Sequence, residues 1–273
     1  MMAVASSGGS IWPLNLFFSS SKIKPFLTKA SVHNYSKRFS SHVRCKNSYK
    51  NSVAVYPGTV ADRVLMDIQN SGIIACLRAQ SAEMAIEAAQ AALSGGISVA
   101  LQFLVHEYPS ASLGVGTVLD REDAKDALKC GAKFLMSPAM VKEILDDVAE
   151  GQALYIPGAM TPTEILLAST AGAKIVKVYP VSALGGVQYI AAVKKPFPNI
   201  KMIASQGITI DSVGQYIGQG ASSVVLSDAI FEKNAMDEKY FDRINQLARS
   251  AAFTGSQAVR LELVFMMHLL NTL

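Results

Sequence analysis

A repeated glycine followed by an apolar stretch is the sequence feature that most narrows the possible folds. Four such segments begin at Gly95, Gly131, Gly172 and Gly220, at intervals of 36, 41 and 48 residues. Glycine favours the left-handed conformation that ends many helices, and the apolar residues after it are typical of a strand buried on both faces. The last two intervals are each long enough for two βα units. The repeat predicts a parallel α/β fold and favours a (βα)8 TIM barrel over a doubly wound sheet.

Strand-like and helix-like segments alternate in the rest of the chain. Short β-branched runs predict strands at 72–78, 112–118, 133–137, 153–157, 174–179, 201–205 and 223–226. Amphipathic stretches between them predict helices, the last at 238–252. Neither of the two common glycine-rich nucleotide-binding motifs, G-x-G-x-x-G and the P-loop, occurs. One barrel domain over residues 60–252 accounts for this pattern.

The first fifty residues differ in composition from the rest. They contain eight basic and no acidic residues, and eleven serines. This composition is typical of an organelle transit peptide, and its serine content favours a plastid, so we expect residues 1–50 to be disordered and the protein to reach the chloroplast. A disordered extension without a targeting role is the alternative. Without these eight bases, 17 basic residues face 21 acidic ones, a net charge of −4 that does not favour nucleic-acid binding.

The cysteines and the C-terminal residues predict neither a metal site, a disulfide scaffold nor a membrane-spanning helix. Cys45, Cys76 and Cys130 have no metal-ligand spacing, and a disulfide scaffold is not expected. No apolar run reaches the roughly 18 residues that a membrane-spanning helix needs. The tail 253–273 is apolar and is expected to pack as a terminal helix, to cap the barrel or to take part in assembly.

Lys177 is the most informative single residue. It is the only charged residue of the segment Ile175-Val176-Lys177-Val178-Tyr179-Pro180, and strand alternation places it on one face with Ile175 and Tyr179. A lysine inside a barrel has a lowered pKa, because burial disfavours the charged form. Its neutral amine can then attack a ketone to form a Schiff base. The alternative is a strand lysine whose charge reaches solvent or pairs with a carboxylate.

Several motifs around Lys177 resemble the 2-keto-3-deoxy-6-phosphogluconate (KDPG) and 4-hydroxy-2-oxoglutarate (KHG) aldolases. They are G-V-G-T-V-L at 114–119, S-P at 137–138, Y-I-P-G at 155–158 and V-K-V-Y-P at 176–180, followed by G-G-V at 185–187. The resemblance covers residues 62–252 and implies a class I aldolase barrel with Lys177 as the Schiff-base lysine. It also implies cleavage of a 4-hydroxy-2-keto acid to pyruvate and an aldehyde, with no metal or other cofactor. The expected partners are the small keto acid and two further copies in a homotrimer, with no nucleic acid and no membrane.

The resemblance extends to six further residues that would bind substrate. They are Arg78, Thr117, Pro157, Gly158, Gly207 and Ser227. A guanidinium suits a carboxylate or phosphate, a threonine hydroxyl can bind a carboxylate, and glycine allows close backbone approach. Each of these roles has an alternative. Arg78 could be a surface arginine and Thr117 an ordinary strand residue. The Pro157–Gly158 pair could form a plain tight turn.

The chain departs from the family pattern after Gly95-Gly96. In the family these glycines lead to a strand with L-E-[IV], then a helix and the next strand. Here residues 97–109 can supply one strand or one helix but not both. We therefore expect strand 2 to be missing from the barrel, or the barrel to be distorted around it. We also expect the general-base glutamate of that segment to be absent.

A second departure lies at the expected phosphate site. Ser205-Gln206-Gly207-Ile208 replaces the family's T-G-G-I, and Leu226-Ser227-Asp228 replaces G-G-S. The carboxylate of Asp228 would repel a phosphate. A non-phosphorylated substrate such as 4-hydroxy-2-oxoglutarate is therefore at least as credible as KDPG. Asp228 is a candidate substitute base, with a helix N-cap as its alternative role. The alternative to an active aldolase is a catalytically impaired barrel with a binding or assembly role.

Overall fold

The computed structural model describes residues 58–101 and 111–271. The expected transit peptide at 1–50 and Cys45 lie outside these residues. Nine strands form one parallel sheet: β1 Ile73–Cys76, β2 Val99–Leu101, β3 Ser112–Gly116, β4 Phe134–Met136, β5 Leu154–Ile156, β6 Gly158–Ala159, β7 Val176–Val178, β8 Met202–Ser205 and β9 Ser223–Leu226. All seven strands expected from the sequence are present, most of them shorter by one or two residues at each end.

Nine α-helices accompany these strands in the described part of the chain. They are α1 Val60–Ser71, α2 Ala82–Ser94, α3 Arg121–Lys129, α4 Lys142–Asp147, α5 Pro162–Thr170, α6 Val187–Lys194, α7 Val213–Gly218, α8 Lys233–Asp237 and α9 Phe241–Asn271. Most are amphipathic and pack on the outside of the sheet. A continuous layer of buried apolar side chains, many of them alanine, separates helices from strands.

The sheet closes into a barrel at Pro157. The strand order is β5-β4-β3-β2-β1-β9-β8-β7-β6, so the two ends of the sheet are β5 and β6. These are two parts of one strand separated only by Pro157, whose carbonyl still accepts a hydrogen bond of 2.8 Å from the Lys177 amide. The ring therefore contains eight strands, as in a (βα)8 barrel.

The second strand is present, which corrects the expectation that it was missing. Cys76 of β1 pairs with Leu101 of β2, and Leu101 pairs in turn with Gly114 of β3. The ring is therefore continuous at this point. The ten positions between β2 and β3 form the shortest connection in the barrel, since the others contain 16 to 23 residues. Residues 102–110 of this connection lie outside the described residues.

Helix α1, which is not among the helices predicted from the sequence, closes the N-terminal end of the barrel. Its residues Ala61, Val64, Leu65 and Ile68 belong to the same buried cluster as inward-facing strand residues such as Ile74, Phe134, Ile175 and Val225. The side chain of Ser112, at the start of β3, donates a 2.5 Å hydrogen bond to Asp67. Solvent is thus excluded from the barrel interior at this end.

Helix α9 crosses the boundary expected at residues 252 and 253. It runs without interruption from Phe241 to Asn271, so the barrel and the apolar tail are not separate units. Its barrel-facing residues Ile244, Ala248, Ala251 and Ala258 are buried. The continuation fits the expectation of a terminal helix, although most of its last part does not pack on the core. No helix in the described ranges is long and apolar enough to cross a membrane.

Candidate active site

Lys177 lies in the middle of β7 and its side chain is only 9% exposed. Strand alternation places it on the same side as Ile175, which belongs to the cluster that fills the barrel interior. The lysine therefore lies inside the ring of strands, above an apolar floor. The alternative of a lysine whose charge reaches solvent is excluded by this burial.

The electrostatic surroundings of Lys177 favour a neutral amine. Burial is the main cause that lowers its pKa from 10.5 to about 8, the nearby Cys76 opposes this change, and the positive charge of Arg78 adds to it. Its Nζ atom lies 4.4 Å from the centre of the Tyr179 ring. No carboxylate in the described part of the chain forms an ion pair with Lys177. About one-tenth of the amine is thus unprotonated at pH 7, far more than for a lysine with the ordinary pKa of 10.5.

Cys76 lies at the site although it is not among the residues predicted from the sequence to act there. It ends β1, beside β9, and it packs against the interior cluster. Burial raises the pKa of its thiol; Arg78 and Lys177 oppose this, Asp228 adds to it, and a hydrogen bond with Ser227 opposes it. Because all these groups act on the Cys76 thiol, they lie close to it, at the same part of the barrel as Lys177. Only the alternation within β1 could have indicated that this cysteine faces inward.

Asp228 lies in a turn rather than at a helix N-terminus. The amides of Ile230 and Phe231 both donate to the carbonyl of Ser227, and the N-cap of α8 is Glu232. The alternative role of Asp228 as an N-cap is therefore wrong. Its charge affects the pKa of Cys76 but is not among the influences on Lys177. Asp228 thus lies near Cys76, at the edge of the barrel where β9 ends.

Thr117 follows β3 in a conformation that is rare for its residue type. Its φ is 60°, in the left-handed region, and the residue is exposed. This strained backbone occurs at the C-terminal edge of the barrel, where the ends of all the parallel strands meet. Backbone strain of this kind is often found at functional sites. Thr117 thus lies at the rim just after β3 rather than within the strand, and its role in substrate binding stays a prediction.

A buried polar network shapes the rim next to Thr117. The Ser137 hydroxyl donates to the Val118 carbonyl at 2.6 Å, and the Tyr155 hydroxyl donates to Ser137 at 3.0 Å. The amide of Val141 donates to the same tyrosine oxygen at 2.9 Å. The network ties the ends of β3, β4 and β5 together. It explains why serine and tyrosine occur in two of the motifs named above.

Pro157 and Gly158 complete this side of the rim, and both are buried. A Cβ atom added at Gly158 would lie 2.0 Å from the carbonyl oxygen of Pro138. Only glycine fits here, because the backbone after β4 passes directly over it. Gly158 is therefore required for the tight approach of two backbones, which is more than a plain turn.

Gly207 lies on the opposite side of the rim, after β8. Gln206 and Gly207 have φ values of 84° and 72°, and a Cβ atom on Gly207 would lie 2.5 Å from that of Ser182. The Ser182 hydroxyl donates to the side chain of Gln206 at 3.2 Å. Both residues are exposed, so their peptide groups border the open end of the barrel.

The described residues of the second strand contain no acidic side chain. Val99–Leu101 of β2 has only apolar residues. The next residues, 102–110, lie outside the described part, so the absence of the general-base glutamate stays a prediction. Within the described ranges no group of three or more histidine, cysteine or acidic residues could hold a metal ion.

A cavity of about 400 Å³ lies at the other end of the barrel. Its walls include Ile73 and Ser98, at or just before the starts of β1 and β2, and Arg249 and Phe253 of α9. The strand starts and Lys177 are at different levels of the barrel, so this cavity does not form part of the lysine site.

Comparison with known proteins agrees with this geometry. The family model for KDPG and KHG aldolase matches residues 64–247. The KHG/KDPG aldolase of Escherichia coli is 29% identical over 181 residues, which are 62% of this chain and 85% of that protein. The 2-dehydro-3-deoxy-phosphogluconate aldolase of Dickeya dadantii has the same identity and coverage.

Solved structures show the same fold. A structure described as native KDPGal is 26% identical, with a TM-score of 0.62, and the match covers 69% of this chain and 96% of that one. A KDPG aldolase from Legionella pneumophila, with pyruvate captured as a covalent carbinolamine, has a TM-score of 0.63 at 23% identity, covering 69% and 97%. The chain therefore belongs to the KDPG and KHG aldolase family of carbon–carbon lyases.

Proposed function

We propose that this protein is a class I aldolase in which Lys177 forms a Schiff base with a 4-hydroxy-2-keto acid. The observation that carries the proposal is the burial of a lysine without a carboxylate partner inside the barrel, with a pKa lowered to about 8. An amine in this state is a nucleophile near neutral pH. Family membership supports the same reaction.

The reaction follows from the chemistry of the amine. Neutral Lys177 adds to the C2 carbonyl of the keto acid, and loss of water gives an iminium ion. When the C3–C4 bond breaks, its electron pair moves into the iminium, while the 4-hydroxyl gives its proton to a base and becomes an aldehyde. The enamine that remains takes up a proton at C3. Hydrolysis then releases pyruvate and restores Lys177.

The rim favours a substrate without a phosphate group. Asp228 places a negative charge next to Ser227, where backbone amides would otherwise attract an anion. Arg78, whose charge acts on Lys177, is suited to the carboxylate of the keto acid. We therefore place 4-hydroxy-2-oxoglutarate ahead of KDPG as substrate.

An impaired enzyme is the second candidate, and the composition of β2 favours it. A positioned base contributes roughly 10²–10⁴ to the rate of proton transfer, and Val99–Leu101 supplies none. Such a protein would still bind keto acids through Lys177, but it would turn them over slowly.

Borohydride trapping separates these candidates. Pyruvate and borohydride are added to the full chain, and the peptide that contains Lys177 is analysed by mass spectrometry for one reduced pyruvate adduct. Adduct together with cleavage of 4-hydroxy-2-oxoglutarate supports the aldolase, whereas adduct without cleavage supports the impaired form. Lys177→Met is the matched control. Absence of adduct on the unmodified protein would refute the Schiff-base role.

The cellular location and assembly extend the same proposal. We propose that residues 1–50 direct the protein to the chloroplast, because they are basic, serine-rich and free of acid. A fusion of residues 1–57 to a fluorescent protein would be found in plastids, and a diffuse signal would contradict the proposal. We also propose a barrel-mediated homotrimer, which light scattering tests directly.

A further inference from the structure

The last described turns of helix α9 form an exposed apolar surface, which we call the helix extension and define as residues 259–268. Six of the thirteen large apolar side chains exposed in the described part of the chain fall between Leu261 and Met267. Earlier in the same helix, the contact with the barrel uses small buried residues such as Ala248, Ala251 and Ala258. Because exposed apolar side chains are normally scattered, this concentration indicates a surface that another molecule covers.

The charges of the helix extension exclude several kinds of partner. Its only ionisable side chains are Arg260, Glu262 and His268. A helix that lies on a membrane surface usually has a face rich in lysine and arginine, and nucleic acid also requires basic side chains. The surface therefore suits an apolar protein partner.

One flank of α9 contains both an apolar ridge and the cavity described above. Positions 249, 252, 256, 259, 263 and 266 are spaced by three and four residues and therefore lie along one line on the helix. Arg249, Ala252 and Ser256 line the cavity of about 400 Å³, together with the backbone of Gly95 and Gly96. Farther along the same line, Leu263 and Met266 are 58% and 49% exposed. The two halves of the line thus have opposite shapes, a hollow and a ridge.

We propose that two copies of this chain pair through α9 in antiparallel orientation, with the ridge of each copy covering the hollow of the other. When the helices run in opposite directions about a twofold axis near residue 261, Met266 of one copy lies over Ser256 of the second, and Leu263 lies over Val259. The contact is isologous, so both copies use the same surface and the assembly closes. Centred on residue 261, it extends over residues 254–268, about 22 Å of helix.

This pairing accounts for two observations at once. It covers the exposed side chains of Leu263 and Met266 with apolar contacts. It also fills the cavity lined by Ala252 and Ser256. The proposal does not depend on Lys177 or on any aldolase activity.

Molar mass measured by light scattering tests the pairing on the full chain. Removal of residues 260–273, or the double substitution Leu263→Glu with Met266→Glu, is expected to halve the mass. A barrel trimer would change from six copies to three, and a monomeric barrel from two to one, so the ratio is the same in either case. Phe265→Glu, on another face of α9, is the matched control and should leave the mass unchanged.

Disulfide cross-linking tests the orientation. Ser256→Cys combined with Met266→Cys should form cross-linked dimers on mild oxidation, whereas Gln257→Cys combined with Phe265→Cys should not. Both pairs are centred on residue 261, but only the first lies on the proposed flank. An unchanged mass in the ridge variants, or equal cross-linking of the two pairs, would overturn the proposal. Binding of the full chain to neutral phospholipid vesicles that removal of residues 260–273 abolishes would also overturn it.

Discussion

The protonation of Lys177 determines the pH at which the site can react. Its pKa of about 8 means that the neutral amine increases as the pH rises through this value. The rate of imine formation with pyruvate should therefore rise about tenfold between pH 6 and 7, reach half its maximum near pH 8 and level off above pH 9. Borohydride trapping at short times measures this rate. A midpoint near pH 10 would show that the lysine is not buried in solution.

The same burial has a cost in stability that a substitution can reveal. The folded pKa of Lys177 lies below the ordinary value of 10.5, so the folded state holds fewer protons between pH 8 and 10.5, and its stability increases with pH over this window. Lys177→Met removes the buried charge and should raise the free energy of unfolding at pH 7 by up to about 3 kcal/mol.

Urea unfolding at two pH values checks this stabilisation. The gain from Lys177→Met should shrink as the pH approaches 10, since the lysine itself is then neutral. Lys125→Met, at an exposed position of α3, is the control and should change the stability by less than about 0.5 kcal/mol. Destabilisation by Lys177→Met at neutral pH would contradict a desolvated amine.

At the level of single residues, the sequence identified the lysine but not all of its neighbours. Lys177 stood out because a lone charge in an apolar strand is unusual. Cys76 did not, because a cysteine in an apolar strand is normally part of the core. Its effect on Lys177 depends on which strands face each other across the barrel, and no local pattern contains that information. The strained φ of Thr117 was equally invisible before the structure.

At the level of elements, the strands were predictable because each is a short apolar run bounded by glycine or polar residues. Helix α1 was missed, although the sequence contains its signals. Thr59 and Asp62 form a capping box, and Ala61, Val64, Leu65 and Ile68 follow helical spacing. Its position across the end of the barrel is a tertiary contact, which spacing alone does not predict. The three paired residues of β2 were likewise fixed by the strands on either side.

Two glycines in different elements should respond in opposite ways to alanine. At Gly158 a Cβ atom would meet the carbonyl oxygen of Pro138 at 2.0 Å, so Gly158→Ala should destabilise the protein by at least about 2 kcal/mol. At Gly214, inside α7, a Cβ atom meets nothing within 4 Å. Gly214→Ala should therefore stabilise by about 0.5–1 kcal/mol through helix propensity.

Thermal unfolding of both glycine variants provides the measurement. The two changes add the same methyl group, so they differ only in the space around it and in the helical setting of Gly214. If Gly158→Ala were neutral, the close approach of the backbones after β4 and β5 would not exist in solution. The backbone around Pro157 would then have a different conformation from the one described.

For the whole molecule, the short connection after β2 should separate imine formation at Lys177 from proton transfer at C3, two steps that normally occur together. The barrel is closed and Lys177 is buried, so pyruvate should still form an imine. The base that moves a proton at C3 belongs, in the family pattern, to the shortened segment. Exchange of the pyruvate methyl protons with D₂O should therefore be slower by about 10²–10⁴ than in the E. coli relative measured in parallel. Proton NMR follows this exchange directly.

Two variants identify the source of whatever exchange remains. Lengthening the β2–β3 connection by roughly a dozen residues that include a family-like glutamate should raise the exchange rate, because it adds a carboxylate without changing Lys177. Asp228→Asn should abolish the residual exchange if this carboxylate acts as substitute base. Exchange as fast as in the relative, and unaffected by Asp228→Asn, would mean that another group moves the proton. Imine formation in the lengthened variant should match that of the original chain, since the amine and its apolar floor are the same in both.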